Sequence, residues 1–342
     1  MAAPASKPAV WLISAPADLA LYSGIAFLSA PLVLWLGHVV EPANLFLFLN
    51  ITFTLAHYAP TWVRALGDRA QFRTNRVQIL LFPVLFFVFA WATRNQPMVV
   101  AFVMYFWDRA HALLQNYGFL RMYEAKSGAP GAGRTDFALL VSSALMLMTF
   151  NMGLLTPLLV QLHVLGLPLV AAPMAIFVLR GVAVLTTLIC ASLYLRRMWK
   201  RRQQGLSVSP GKQLFFVAVT AGHALMNLTT NVFLLSAHEK IYHSVQYAVL
   251  VWHYDKKRAR AGVKETSRFF TALAGKRGLL LYLGVIATWT LTVFAMKTFF
   301  DSDQNEFDPT AFRSLLGGIA LTHYYFDSFL WRVRKPQVLE NL

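Results

Sequence analysis

Charge is scarce in this sequence and cysteine almost absent. Only 13% of its 342 residues are Asp, Glu, Lys or Arg, about half the share in a soluble domain, so an ordinary water-facing surface is excluded. The lone Cys190 excludes an intrachain disulfide. There is no Gly-x-Ser-x-Gly elbow and no P-loop, which removes the nucleophilic-hydrolase and nucleotide-phosphate readings. No internal repeat appears, and no long Gly/Ser/Pro linker. One transmembrane domain over 1–342 is therefore expected, with an N-terminal segment at 1–16 and a cytoplasmic tail at 332–342. The segment 1–16 carries one charge, Lys7. The apolar run after it is too long for a signal-peptide core and lacks a clear small-residue cleavage site, so it reads as a span.

Apolar residues make up 57% of the chain, and they are gathered into runs. A membrane helix needs about 20 such residues. Ten runs qualify, at 17–38, 43–63, 77–95, 97–120, 136–157, 168–195, 213–236, 238–255, 278–298 and 310–331. The expected fold is an all-α integral membrane bundle of about ten helices. The formal charge of +16 does not point to nucleic acid, because Lys and Arg lie between alternate runs. Arg64, Arg69, Arg73 and Arg76 follow the second run; Arg196 to Lys212 follow the sixth; Lys256 to Arg277 follow the eighth. The connections of opposite parity are nearly free of Lys and Arg, and the longest, 301–308, is acidic. By the positive-inside rule both termini are cytoplasmic, and a bacterial inner membrane is the expected location.

Ionisable side chains at membrane depth are costly and mark function. The tenth run holds His323-Tyr-Tyr-Phe-Asp327, whose His and Asp share one helix face at i,i+4. His57, His111, His223 and His243 lie in four other runs. Counted from the cytoplasmic ends of their runs, the five histidines spread over roughly 9 Å of a core of about 30 Å. Imidazole suits iron, zinc and copper. His323, His111, His243, His57 and His223 are therefore the candidate metal ligands. Asp327, Asp108, Gln115 and Gln246 are candidate catalytic or ligand-orienting residues, with Asn116 and Asn227 as further orienting amides. His238 and His253 sit near the ends of the eighth run, where an interfacial place is expected. Each histidine also has a plainer reading as a helix–helix hydrogen bond, and Asp327 as a partner of Arg332.

The combination His111-xxx-Gln115-Asn116-Tyr117-Gly118, His243-xx-Gln246-Tyr247 and His323-Tyr324-xx-Asp327-xxx-Trp331-Arg332 resembles the histidine-rich, multi-span bacterial proteins grouped near the Brp/Blh β-carotene oxygenases. The resemblance covers the histidine-bearing runs. It implies iron held by histidines of several helices, O2 as co-substrate, and a lipophilic substrate cleaved within the membrane. The sequence departs from that group in lacking an intramembrane His-xxx-His pair; His238 and His243 are five apart. The short histidine boxes of diiron desaturases are absent. The expected activity is thus a membrane-embedded, metal-dependent oxygenase or oxidoreductase. Fe2+ is the expected metal, with zinc or copper as alternatives. Two other readings use the same residues: a proton-coupled transporter, and a haem- or quinone-binding membrane protein with two axial histidines. Membrane lipids are expected partners and nucleic acid is not. Substrate identity, one ion or two, and oligomeric state are not specified by the sequence.

Overall fold

The computed structural model describes residues 10–127, 133–164, 166, 173–206, 208–260, 268–273, 275–300 and 309–331. Among these residues there are helices and no strands. The helices are α1 Ala15–Asp18, α2 Ile25–Val39, α3 Pro42–Leu49, α4 Ala56–Gly67, α5 Arg69–Ala92, α6 Pro97–Lys126, α7 Gly133–Phe150, α8 Met152–Val164, α9 Pro173–Gln203, α10 Pro210–Leu225, α11 Val232–Arg260, α12 Arg268–Leu273, α13 Gly278–Phe300 and α14 Pro309–Leu330. Two π turns, Leu19–Gly24 and Asn50–Leu55, join α1 to α2 and α3 to α4.

The local sequence places the helix ends. Prolines open α3, α6, α9, α10 and α14, where a missing N–H costs nothing. The Asp68 carboxylate caps α5 by accepting from the N–H groups of Ala70 and Gln71. Past α9, Gly205 takes a positive φ of 68°. The Leu206 and Gly205 amides then donate to the carbonyls of Arg201 and Arg202 at 3.0 Å each, a Schellman closure that satisfies the helix end.

Four helices are long and apolar enough to cross a membrane: Ala15–Val39, Arg69–Ala92, Met174–Gln203 and Gly278–Phe300. A fifth crossing follows if α7 and α8, bent by 87° at their junction, form one broken span. In the α9 window only 6% of residues are buried, and 11% in α5 and α13. Such unbroken apolar faces need a non-aqueous surrounding. The long helices α6, α11 and α14 carry Asp108, Arg109, Glu239, Lys240 and Asp327 along their lengths, so they are less apolar than these four.

Two of the ten expected runs end earlier than their hydropathy suggests. The fifth breaks at Asn151, and the seventh breaks after Leu228, before α11 starts at Val232. One residue accounts for both. The buried Asn151 amide donates to the carbonyls of Met226 and Thr229, and its Oδ1 accepts from Gly153 N–H at 2.9 Å. The two breaks thus satisfy each other's backbone, as an apolar surrounding requires. Gly153 permits this approach, since a Cβ there would meet the Thr230 carbonyl oxygen at 2.0 Å.

The chain divides into two compact units, 1–45 with 113–242 and 46–112 with 243–342, where the sequence suggests one domain. In the first, α10 packs on α2 and α7 packs on α9. Buried ion pairs tie its helices: Lys212 to Asp136 at 2.6 Å, and Arg201 to Glu124 at 3.1 Å. In the second, α14 packs along α5 and across α4, and α13 packs on α4. Its apolar centre is built from Leu55, Val293, Ala320 and Leu321, and from Ala65, Ile79, Phe326, Phe329 and Leu330. The helix α11 passes from the first unit into the second between Tyr242 and His243, and α6 crosses between Ala112 and Leu113.

Candidate metal centre

Four helices of the second unit each bring one histidine to a common point. They are His57 on α4, His111 on α6, His243 on α11 and His323 on α14, and all four are buried. Ring centroids of His57 lie 4.5 Å from His243 and 4.4 Å from His323, and those of His111 lie 5.1 and 5.0 Å from the same two. The π turn Asn50–Leu55 ends two residues before His57. Its extra residue resets the face that α4 presents from that point on, a device common next to functional sites.

One turn further along three of these helices lies a second polar layer. Thr61, Tyr247 and Asp327 each follow a histidine by four residues and so share its face. Tyr247 O–H donates to Asp327 Oδ1 at 2.6 Å, and Trp331 Nε1–H donates to the Tyr247 oxygen at 3.2 Å. Thr61 Oγ1 lies 3.1 Å from the same Asp327 oxygen and 2.8 Å from His323 Nδ1, and also contacts the Tyr247 hydroxyl. Because equivalent layers meet at His57/His243/His323 and again at Thr61/Tyr247/Asp327, α4, α11 and α14 run in the same direction.

The proton count then sets the histidine tautomer. Tyr247 has one proton and gives it to Asp327. Thr61 has one proton, and its hydroxyl donates to Asp327 Oδ1. Thr61 therefore accepts from His323 Nδ1–H. A neutral His323 consequently presents its Nε2 lone pair on the other side of the ring, which is the form a metal requires. That Nε2 lies 3.7 Å from Asp327 Oδ2, and His111 Nε2 lies 3.9 Å from the same oxygen. Asp327 thus divides its carboxylate: Oδ1 takes the hydroxyls, and Oδ2 faces two imidazoles.

The donor set fits one ion. Ligand atoms of His57, His111, His323 and Asp327 all lie within 4.8 Å of one another. At about 2.1 Å per bond, two ligands of one ion are at most about 4.2 Å apart, so the widest pair needs to close by roughly half an ångström. His243 lies beside this set rather than within it, its Nε2 3.1 Å from His57 Nε2. The carboxylate–imidazole spacings of 3.7 and 3.9 Å also lie within the reach of two ligands of one ion. Nitrogen and oxygen donors without thiolate suit iron, zinc or copper.

The other expected site residues fall in different places. Asp108 touches the centre indirectly: its Oδ1 accepts from Tyr324 O–H at 2.9 Å, and the Tyr324 ring stacks on His111 at 4.6 Å and 30°. Gln246 is fully buried on α11, three residues past His243. Gln115 and Asn116 lie on the part of α6 that belongs to the first unit. His223 also belongs there and joins a separate cluster. Its ring is 5.4 Å from His238 and its Nε2 is 3.3 Å from Tyr242 O–H, to which Asn116 donates in turn. His223 Nδ1 is bonded to the Val219 carbonyl. His238, expected near an interface, is 1% exposed and bonded through Nδ1 to Ser29. Both behave as helix-to-helix hydrogen bonds. Arg332, the alternative partner of Asp327, lies outside the described residues.

A third layer closes the same three helices. Arg64 comes seven residues after His57 and Trp331 four after Asp327. The Arg64 guanidinium sits between Tyr254 at 4.0 Å and Trp331 at 3.8 Å and has no exposed surface. Arg64 was expected among the loop charges after the second run; the aromatic pair draws it inside instead. Beyond it, Arg258 pairs with Asp68, the cap of α5, with Nη2–Oδ1 at 3.1 Å. Thr61, Tyr247 and Arg64 were not among the expected site residues, although the i+4 spacing from a histidine signals the first two. No family model matches this chain, and no curated protein or solved structure is significantly similar to it, so the metal-centre reading stands on these side chains alone.

Proposed function

We propose that the chain is a membrane-embedded, metal-dependent oxidoreductase whose ion is held by His57, His111, His243, His323 and Asp327. The observation that carries this reading is that ligand atoms of the buried His57, His111 and His323 and of Asp327 lie within 4.8 Å of one another, with His243 against His57. Isolated helix-to-helix hydrogen bonds would not gather all four at one point. Fe2+ is the metal proposed, since nitrogen and oxygen donors without thiolate suit it, and the bound ion would supply redox and Lewis-acid chemistry toward O2. The protein's own part is to fix the ligands. Thr61 holds His323 in the Nε2-ligating tautomer, Tyr247 with Thr61 orients Asp327, and Tyr324 braces His111 against Asp108.

The reading extends to topology and substrate. Ten spans with both termini in the cytoplasm place α4, α11 and α14 in the second, eighth and tenth positions. All three then run the same way, as their matched layers require. The Arg64–Trp331 layer lies cytoplasmic of the histidines in that topology and caps them on that side. A lipophilic substrate would then arrive laterally from the bilayer, of the polyene kind that the Brp/Blh resemblance implies.

The test is metal analysis and an optical spectrum of the purified chain in detergent. About one iron per chain is expected, lost in His323→Ala and His57→Ala and kept in His223→Ala. Wild-type protein without metal, or both ligand variants with full metal, overturns the reading. A second reading has one observation in its favour: the His57–His243 contact and the Tyr247–Asp327–Thr61 chain form a proton-conducting arrangement. Metal-independent proton flux in proteoliposomes would select it. A Soret band in that optical spectrum would select the haem alternative instead.

A further inference from the structure

The basic end of α9 differs from the other charged ends in how its arginines are used. Arg201 is paired with Glu124, and the nearby Lys212 with Asp136. Arg196 and Arg202 have no acidic partner among the described residues, and both are exposed. They are not needed as helix caps either, since the Gly205 turn already closes the α9 carbonyls.

These two free cations border apolar troughs. One, of about 510 Å³, runs between α9 and α10 over Tyr194, Trp199, Phe216 and Val217 and is flanked by Arg196 and Arg202. Its wall is firm, with Tyr194 stacked on Phe216 at 5.9 Å and 18°. The other, of about 330 Å³, runs over Leu188, Ile189 and Leu193 and ends at the same Arg196. Two apolar channels therefore meet at one arginine, with a second arginine about 9 Å further along the helix axis at 1.5 Å per residue. Trp199, 63% exposed, sits between the two, where a headgroup-level indole belongs.

We propose that this end of α9 binds a two-chain anionic phospholipid, its phosphate between Arg196 and Arg202 and one acyl chain in each trough. Free cations explain the anionic headgroup, and the paired troughs explain why a lipid rather than a soluble phosphate is the ligand. Basic sites between helices at the cytoplasmic membrane surface recognise such headgroups, each cation contributing roughly a fivefold preference.

The experiment is native mass spectrometry of the full chain in mild detergent with matched-chain phosphatidylglycerol and phosphatidylcholine. Phosphatidylglycerol adducts should be favoured roughly 30-fold over phosphatidylcholine for two arginines. That preference should vanish in R196Q/R202Q and survive in R69Q/R76Q, a charge-matched control on the other unit. Glycerol phosphate should not displace the lipid, because it fills neither trough. Equal retention of the two lipids, equal loss in the control variant, or displacement by glycerol phosphate each overturns the proposal. A helical circular dichroism spectrum and unchanged metal content in R196Q/R202Q separate loss of the lipid site from loss of the fold.

Discussion

Thr61→Val tests the candidate centre without touching a ligand. Valine keeps the shape of threonine and removes only the hydroxyl. In the native protein that oxygen accepts from His323 Nδ1–H at 2.8 Å and lies 3.1 Å from Asp327 Oδ1. Its loss leaves a fully buried imidazole N–H without its acceptor, which costs about 1–3 kcal/mol. Asp327 keeps Tyr247 as a donor at 2.6 Å, so the carboxylate stays oriented and the damage concentrates on His323. Freed from Thr61, the ring can move its proton to Nε2 and turn its lone pair away from the centre. Loss of such a ligand-orienting partner lowers metal affinity by about 10- to 100-fold, which matches the energetic range of one orphaned donor. The assay is competitive iron titration against a chromogenic chelator, run on wild type, Thr61→Val and Thr61→Ser. Serine should recover most of the affinity. Wild-type affinity in the valine variant would refute the tautomer argument, and equal loss in serine and valine would show that Thr61 acts by packing.

Three further outcomes follow from the same geometry. Chelation should lower the thermal midpoint of the wild type, since an ion at one hundred times its Kd stabilises by about 2.7 kcal/mol; His323→Ala should not respond, and scanning fluorimetry reads both. Arg64→Lys keeps the charge but loses the planar stack on Tyr254 and Trp331, so it should destabilise by about 1–2 kcal/mol, and Arg64→Leu by more because Asp255 and Asp327 lose a neighbouring cation; equal melts for all three would mean the stack contributes nothing. Asp136→Asn strands the buried Lys212 ammonium in the first unit and should cost about 3–5 kcal/mol with no change in iron content, whereas loss of iron would show that the two units are coupled.

The histidine layer was legible because depth along a helix can be counted from hydropathy edges. Four of the five histidines at that depth meet. His223 does not, because depth carries no information about which helices are neighbours, and α10 packs on α2 in the first unit. The helix breaks at Asn151 and Thr229 were hidden for a related reason. Apolar runs continue through both, and the device that allows the breaks is an asparagine bonded to carbonyls 75 and 78 residues away. Gln246 was singled out over Tyr247 on chemical type, yet i+4 rather than i+3 decides which side chain reaches Asp327. Arg64 was placed with the loop charges because no single-sequence signal announces that Tyr254 and Trp331 will close around it. The helices that carry the site are not among the four long apolar ones, since the residues that make the centre reduce their apolarity.

The ligands of the candidate centre are far apart along the chain, with His57 and His243 separated by 186 residues. An ion shared by ligands so far apart would have to close long loops, so the proposed metal reading implies loading after the helices have packed. The apolar contacts of Phe326, Phe329 and Leu330 with Ala65 and Ile79 hold α14 to α4 and α5 and use none of the proposed ligands. The proposed metal reading therefore predicts an order: packing of α14 on α5 and α4, then loading of the ion. Metal starvation should accordingly leave a folded, long-lived precursor that is activated by late addition of the ion, rather than a chain that is misfolded and degraded.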